Sequence, residues 1–538
     1  MKKTDQSVLF RDFRKNRFQL ARPVILRGIL VVTLGVSMMA TLYNTLGIHQ
    51  EQSEIRYFVV FTLLLIIYFI SYRRFQLFVI RFVQRTVADI RLNIMGHVRK
   101  IGLADFEKIG PEKIYLALIY DERFISAISQ YTASVLLSII AVIIIHIYLC
   151  CLSLPAGILS FCVYGMACAI YGFNQIRIRE MIEQVRTREK VFLESVRDLF
   201  EGFKELRLND KKSDDFFHRG VKKHGELLRE LKIQYQNVFM NNYSIAYGLF
   251  KSLLMLMVFL TPLFGIVTDN LIFSLFGCLF FMPYSVLIDR VPGIILAAVS
   301  LQRLFQLQQT LEKLAQESRV SGQAPVPADF EQLRYENIGF CYEGKDTNLF
   351  GVGPLDITIN KGEILFITGG NGSGKSTLLK LITGLYPIQS GQVCLNNTEI
   401  LIRDHRHLFS VIFSDYHLFM RLYGMGEIDP DQAEDFIRMM QLEGKVGLDK
   451  NRFTTLELST GQKKRLAMIA VLLENKPVYV FDEWAADQDP QFRRYFYESL
   501  LPSFKARGKA VIAVTHDDRW FHVADRVMRL EYGQIGNS

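Results

Sequence analysis

Cysteine is scarce in this sequence and is not arranged for a metal. The 538 residues include seven, none at metal-ligand spacing, and Cys150, Cys151, Cys162, Cys168 and Cys278 fall in apolar runs. They read as small buried hydrophobes, which argues against a metal centre built on thiolates. Internal repeats and low-complexity tracts are absent, so neither a repeat array nor a compositionally biased tail is expected. A small-residue cleavage site is also missing after the long basic start MKKTDQSVLFRDFRKNRFQLAR, which reads as a retained cytoplasmic leader rather than a signal peptide. Polar surface is in short supply. Half the residues are apolar, mean hydropathy is +0.17, and 41 Phe and 23 Tyr are spread through segments a soluble protein would struggle to cover. The formal charge of +9 could suit nucleic acid, an anionic bilayer or a cytoplasmic face. The apolar runs decide for a membrane and against nucleic acid.

Six stretches approach the ~20 residues that span a bilayer as a helix: Gly28–Ile48, Tyr57–Tyr72, Tyr131–Leu152, Leu154–Phe173, Ala246–Val267 and Leu271–Ile288. Ser153, Leu154 and Pro155 would supply a very tight turn between the third and fourth. The connections alternate short and long. The long ones carry Arg73, Arg74, Arg81, Arg85, Arg91, Arg99 and Lys100, then Arg177, Arg179, Arg186 and Arg188, so both long connections and both termini are placed in the cytoplasm. Charged and apolar residues recur at helical spacing in REMIEQVRTREKVFLESVRDLFEGFKELRL, which argues for helices that continue beyond the membrane. Amphipathic helices lying on the bilayer are the alternative.

A chain of this length exceeds one domain of roughly 100 to 200 residues. The expected division is a helical membrane domain over residues 1–316, a polar linker over 317–330 (ESRVSGQAPVPADF) and an α/β domain over 331–538. In the last, short β-rich runs (DITI, EILFIT, SVIF, PVYVFD, AVIAVTH) alternate with helical ones, the pattern of a largely parallel sheet.

The run GGNGSGKST, Gly369, Gly370, Asn371, Gly372, Ser373, Gly374, Lys375, Ser376 and Thr377, lies between the strand EILFIT and the helix STLLKLITGL. Strand, G-x-x-x-x-G-K-S and helix are the context of a phosphate-binding loop. Its glycines let backbone N–H groups face phosphate at the positive end of the helix, Lys375 should reach the β and γ phosphates, and Ser376 should bind Mg²⁺. About a hundred residues on, VYVFDE ends in two acids: Asp482 is placed to hold Mg²⁺ through water and Glu483 to polarise the attacking water.

LSTGQKKR, between these motifs, resembles the signature of the ATP-binding cassette family, with Leu458, Ser459, Thr460, Gly461 and Gln462 where the family usually has LSGGQ. The resemblance implies ATP and Mg²⁺ as cofactors, a homodimer, and a signature loop that completes the ATP site of the opposite subunit. It also assigns Tyr342 to adenine stacking, Asp489 to the inter-subunit loop and His516 to the γ-phosphate; a core tyrosine, a turn residue and a helix cap are the respective alternatives. Where the family has Gln, VIFSDYHLF offers Ser414 or Asp415. Asp415 is the expected Mg²⁺ neighbour because a carboxylate is the harder ligand, a turn cap being its alternative.

Six helices followed by one cassette look like a half-size exporter of the type I fold, with DFEKIGPEKIYLALIYDERFI and TREKVFLESVRDLFEGF similar to its two coupling segments. More narrowly, the stretch from Leu458 to Tyr497, with Trp484 where the wider family usually has Pro, resembles the cyclic-peptide and siderophore exporter branch, which includes the microcin J25, pyoverdine-precursor and syringomycin exporters. The resemblance implies ATP-driven export of a peptide-like substrate across the cytoplasmic (inner) membrane; an outer-membrane partner in a Gram-negative cell is left open. A multidrug or lipid exporter, and a cassette ATPase that regulates without transport, are the alternatives. Asp289 and Arg290 end the sixth apolar run before it resumes. Sequence neighbours point about 100° apart on a helix, so the two cannot simply neutralise each other. They are expected to line the substrate cavity near Lys251, against an interface position as the alternative.

Overall fold

The computed structural model describes residues 24–38, 54–118, 122–152, 154–263, 270–318, 330–342 and 350–536. The chain divides into two compact units, Met1–Asn93 with Tyr115–Leu307, and Ile94–Ile114 with Gln308–Ser538.

Helices make the first unit: α1 (Val24–Met38), α2 (Glu54–Val98), α3 (Leu103–Ile109), α4 (Pro111–Leu116), α5 (Glu122–Leu152), α6 (Leu154–Glu201), α7 (Phe203–Arg207), α8 (Asp210–Phe216), α9 (Lys223–Leu263) and α10 (Asn270–Glu317), with α3, most of α4 and the ends of α2 and α10 counting with the second. The six apolar stretches fall on α1, α2, α5, α6, α9 and α10; Ser153, residues 39–48 of the first stretch and 264–267 of the fifth lie outside the described residues. Among the described residues, one helix segment, Phe58–Val98, is long and apolar enough to cross a membrane, and Val24–Met38 and Tyr131–Ile144 are shorter apolar helices. At 45 residues, α2 is about 68 Å long, more than twice the ~30 Å hydrocarbon thickness, so it continues beyond its apolar part. Phe58, Leu63, Ile66 and Phe69 stand exposed along that part, a surface suited to lipid.

Val31, Phe75, Val79, Ala133 and Leu137 form a buried cluster that ties α1 to α2 and α5. Further along, polar pairs take over: Lys232 reaches Glu189 at 2.8 Å, joining α9 to α6, and Arg303 reaches Glu183 at 2.8 Å, joining α10 to α6. Helical continuations with charged faces thus explain the amphipathic spacing read from the sequence.

In the second unit, the strands are β1 (Gln332–Cys341), β2 (Gly351–Asn360), β3 (Ile364–Thr368), β4 (Ser390–Leu395), β5 (Thr398–Glu399), β6 (Phe409–Ile412), β7 (Leu448–Asp449), β8 (Arg452–Phe453), β9 (Val478–Asp482), β10 (Ala510–Val514), β11 (Arg526–Glu531) and β12 (Gln534–Ile535). The helices are α11 (Lys375–Ile382), α12 (Pro430–Met439), α13 (Thr460–Glu474), α14 (Pro490–Tyr495) and α15 (Leu501–Ala506). A sheet in the order β12-β11-β3-β10-β9-β6 is parallel except for β12. Every residue of β3, β9 and β10 is buried, as expected of a parallel sheet covered on both faces. DITI, expected among the parallel strands, belongs instead to β2 in an antiparallel sheet of order β2-β1-β4-β5. Its buried positions Leu355, Ile357 and Ile359 alternate with more open ones, the mark of a sheet covered on one face.

The short helix α3, which overlaps the start of the first coupling-like segment, belongs to this unit. Leu103 and Ala104 pack against its core, and Glu107 accepts hydrogen bonds from Lys380 at 2.9 Å and from the Tyr386 hydroxyl. Burial and the Glu107 bond push the Tyr386 hydroxyl well above the usual tyrosine range, so it stays a donor. Hydrogen bonds to a charged group contribute about 1.5–3 kcal/mol, less where solvent screens them. Glu107→Ala should therefore raise amide hydrogen exchange across Leu103–Ile109 several-fold while leaving β3 and β10 protected; unchanged exchange in α3 would show that its apolar contacts suffice.

Candidate functional site

The parallel register sets the site. Ile367 of β3 pairs with Val514 of β10, and Val514 pairs with Asp482 of β9, so three strand ends reach one edge of the sheet. From it emerge the glycine-rich loop, the acid pair and His516.

Gly369 and Gly374 have φ of +147° and +101°, and a Cβ on Gly369 would lie 2.2 Å from the Leu530 carbonyl oxygen. No side chain fits there, which is why glycine occupies the start of the loop. Ser373 N–H donates to Gly370 O at 3.2 Å, and Gly533 N–H donates to Ser373 O at 2.9 Å. Lys375 holds its ammonium over the loop through Gly369 O at 2.9 Å and Gly370 O at 3.0 Å. The Ser373 hydroxyl is buried without a hydrogen-bond partner. That orphan donor, beside a loop closed around α11's first turn, fits a phosphate group.

Asp482 is 2 % exposed and accepts from Ser376 Oγ at 3.2 Å. Ser414 bonds it through both its side chain and its backbone. Burial pushes the Asp482 carboxyl above the usual carboxylate range, while the bonds from Ser376 and Ser414 pull the other way. A buried carboxylate flanked by two hydroxyls is a donor set for a hard divalent cation. The ranking that put Asp415 ahead of Ser414 meets a different arrangement: Ser414 stands at Asp482, and Asp415 is exposed one residue on. The chain turns there: Tyr416 N–H donates to Phe413 O at 3.3 Å, and it is Ser414, at the start of that turn, whose side chain and backbone reach Asp482.

Glu483 sits in left-handed backbone at φ +49°, its N–H donating to Val514 O at 3.2 Å. Its Oε1 is 3.0 Å from His516 Nε2. The two residues that sequence assigned to water activation and the γ-phosphate therefore face each other. Tyr342 is 37 % exposed; its hydroxyl lies 3.1 Å from Thr377 Oγ1 and donates to Tyr386 at 3.5 Å, and its ring meets Phe340 edge-on.

Ser459 caps α13, accepting from Gln462 N–H at 3.4 Å while Gln462 Oε1 accepts from Ser459 N–H at 3.1 Å. This reciprocal cap explains the Ser-x-x-Gln spacing of LSTGQ; Leu458 precedes it and Thr460 opens the helix. Gly461 passes so close to the loop after Glu483 that a Cβ would lie 2.8 Å from Asp487 O. Asp489 caps α14 through Phe492 N–H at 2.9 Å and pairs with Arg465; those two contacts hold its carboxyl below the usual range. In the helical unit, Asp289 bonds Tyr243, Arg290 lies 4.1 Å over the Tyr131 ring, and Lys251 lies 5.1 Å over the Tyr247 ring. Lys464, Tyr386 and Glu107 escaped the sequence reading, because nothing in the spacing of a single lysine, tyrosine or glutamate marks it as buried or paired.

The ABC transporter family model matches residues 352–486. The ATP-binding protein SyrD of Pseudomonas syringae pv. syringae is 30% identical over 84% of this chain and 82% of its own length. The methionine import ATP-binding protein MetN of Corynebacterium diphtheriae is 30% identical over 38% of this chain and 64% of its own length. A solved structure of a bacterial Atm1-family ABC exporter with ATP bound superposes with a TM-score of 0.76, covering 96% of this chain and 95% of that one at 15% identity, which shows a shared fold.

Glu483→Gln should lower ATP turnover by at least about 100-fold while leaving ATP affinity intact, since Lys375, Ser376 and Asp482 are untouched; turnover near wild type would remove Glu483 from its assigned role. Ser414→Ala should raise the Mg²⁺ concentration needed for half-maximal turnover, and Asp415→Ala should leave it unchanged. The reverse ranking in an Mg²⁺ titration would restore Asp415 as the neighbour of the cation.

Proposed function

The chain belongs to the ABC transporter family, and on that premise we propose that it is an ATP-driven exporter of a peptide-like substrate, working as a homodimer in the cytoplasmic membrane. The observation that carries export is the extent of the SyrD match: it runs through the helical portion as well as the cassette, whereas the importer relative matches over 38% of the chain only. Likeness in fold to an exporter over 96% of the chain supports the same direction.

Hydrolysis follows from the sheet edge. The loop N–H groups and Lys375 bind and orient the triphosphate, Ser376, Asp482 and Ser414 would hold Mg²⁺, and Glu483 takes a proton from the water that attacks the γ-phosphate. His516, bonded to Glu483, holds that carboxylate in line. When bound, Mg²⁺ supplies neutralisation of phosphate charge. One chain carries one phosphate loop and one signature, so two copies make two composite sites by symmetry. Closure of the pair on ATP would turn the helices outward through the coupling segments.

The peptide-like cargo is supported by resemblance over Leu458 to Tyr497 and by the chemistry around Asp289, Arg290 and Lys251. A carboxylate, a guanidinium and an ammonium, each set beside a tyrosine, offer counter-charges and ring faces to a peptide's charged and apolar groups. Inverted membrane vesicles should accumulate a radiolabelled cyclic or lasso peptide in an ATP-dependent way, and the Asp289→Asn, Arg290→Gln double variant should lose uptake while retaining basal ATPase. Uptake of lipid or hydrophobic drugs but of no peptide would replace the cargo class, and ATPase with no transported species would replace export itself.

A further inference from the structure

Lys464 is 5 % exposed, and a buried ammonium is costly unless it is paired and hydrogen-bonded. Its partners are therefore informative. The Nζ donates to the main-chain oxygen of Glu483 at 3.0 Å and pairs with Asp487 Oδ2 at 2.7 Å. The link is returned: Trp484 Nε1–H donates to the main-chain oxygen of Lys464 at 3.0 Å. Trp484 is 1 % exposed and packs on Phe496, with ring centroids 4.6 Å apart, so this anchor cannot swing away.

Glu483 needs such an anchor. Left-handed backbone is unfavourable for a residue with a Cβ and persists only where the surroundings hold it. Val514 O holds its N–H, and the Lys464 ammonium holds its C=O. With the ammonium gone, the carbonyl keeps only the longer bond from Ala486 N–H at 3.3 Å, Asp487 loses its countercharge, and the peptide can relax toward ordinary φ. The carboxylate would then leave the position 3.0 Å from His516.

We propose that Lys464 is a positioning residue for Glu483, fixing the backbone from which its carboxylate reaches the reacting water, and that with Trp484 it ties this carboxylate to the start of α13. Because Ser459 caps that helix and serves the ATP of the partner in the composite arrangement, the clamp connects the two ATP sites through one buried ammonium. The proposal rests on Glu483 as the base, so Glu483→Gln is its reference.

The test uses the full chain in lipid nanodiscs, with steady-state ATPase and equilibrium binding of a fluorescent ATP analogue. Lys464→Met keeps the length and apolar stem and removes the donor. Its kcat should fall by about 10- to 100-fold, with KM and analogue affinity within about twofold of wild type. Lys464→Arg should recover most of the lost kcat, since guanidinium can reach both oxygens. Should Lys464→Met not fold, Trp484→Phe removes the returning hydrogen bond while keeping an aromatic ring against Phe496, and should lower kcat several-fold with binding intact. Wild-type kcat in Lys464→Met, or in Trp484→Phe where that variant stands in, would overturn the clamp. So would parallel loss of kcat and nucleotide affinity with no rescue by arginine, which marks a merely structural lysine. Turnover in Glu483→Gln near wild type would instead overturn the base, and the clamp with it.

Discussion

The register of three adjacent parallel strands is the constraint on which the ATP site depends. Ile367, Val514 and Asp482 stand in one row across β3, β10 and β9, which brings a loop starting at Gly369, an acid pair at 482–483 and a histidine at 516 to one edge. Slippage by one residue would turn each strand's side chains to the opposite face. The cores on both faces of the sheet resist it: Leu365, Ile367 and Ile512 face one cluster, and Phe366, Phe481 and Ala513 face the other. Apolar burial thereby fixes where polar chemistry happens.

That edge keeps a charge where charge is unfavourable. Asp482 is buried against Ser376 and Ser414, and burial outweighs both bonds in raising its carboxyl. A proton or a cation would each relieve that cost. Glu483, one residue on, is exposed enough to meet water, and its backbone is bent out of the strand at φ +49°. Adjacent acids thus sit in different surroundings, one buried and one open to water.

Much of this was legible in the sequence because the chemistry is local. A phosphate loop needs its glycines, lysine and serine within nine residues, and LSTGQ carries its own helix cap. DITI was not legible as an antiparallel strand, since four residues of alternating character look alike in either sheet. The choice between Ser414 and Asp415 depended on which residue of the turn after β6 meets Asp482, which no local pattern encodes. Lys464 reads as one more solvated lysine in KKR until α13 is packed against Trp484. Glu107 gains its meaning only when α3 comes to lie beside Lys380, 273 residues along the chain. Asp289 and Arg290 needed partners by helix geometry, but that Tyr243 and Tyr131 supply them depends on how α9 and α5 pack against α10.

Within one chain, Ser459 and Gln462 bond each other at the start of α13, and Gly461 O accepts from Gln488 Nε2. The central claim is that each ATP is held between two chains. Complementation tests it most directly: Lys375→Ala and Ser459→Arg chains are purified separately, then mixed under conditions that exchange subunits, and ATPase is measured. Each variant alone has both sites broken, whereas a mixed pair has one site with an intact loop and an intact signature. The account predicts hydrolysis in the mixture that neither parent shows; a mixture as inactive as its parents, with exchange confirmed, would contradict it.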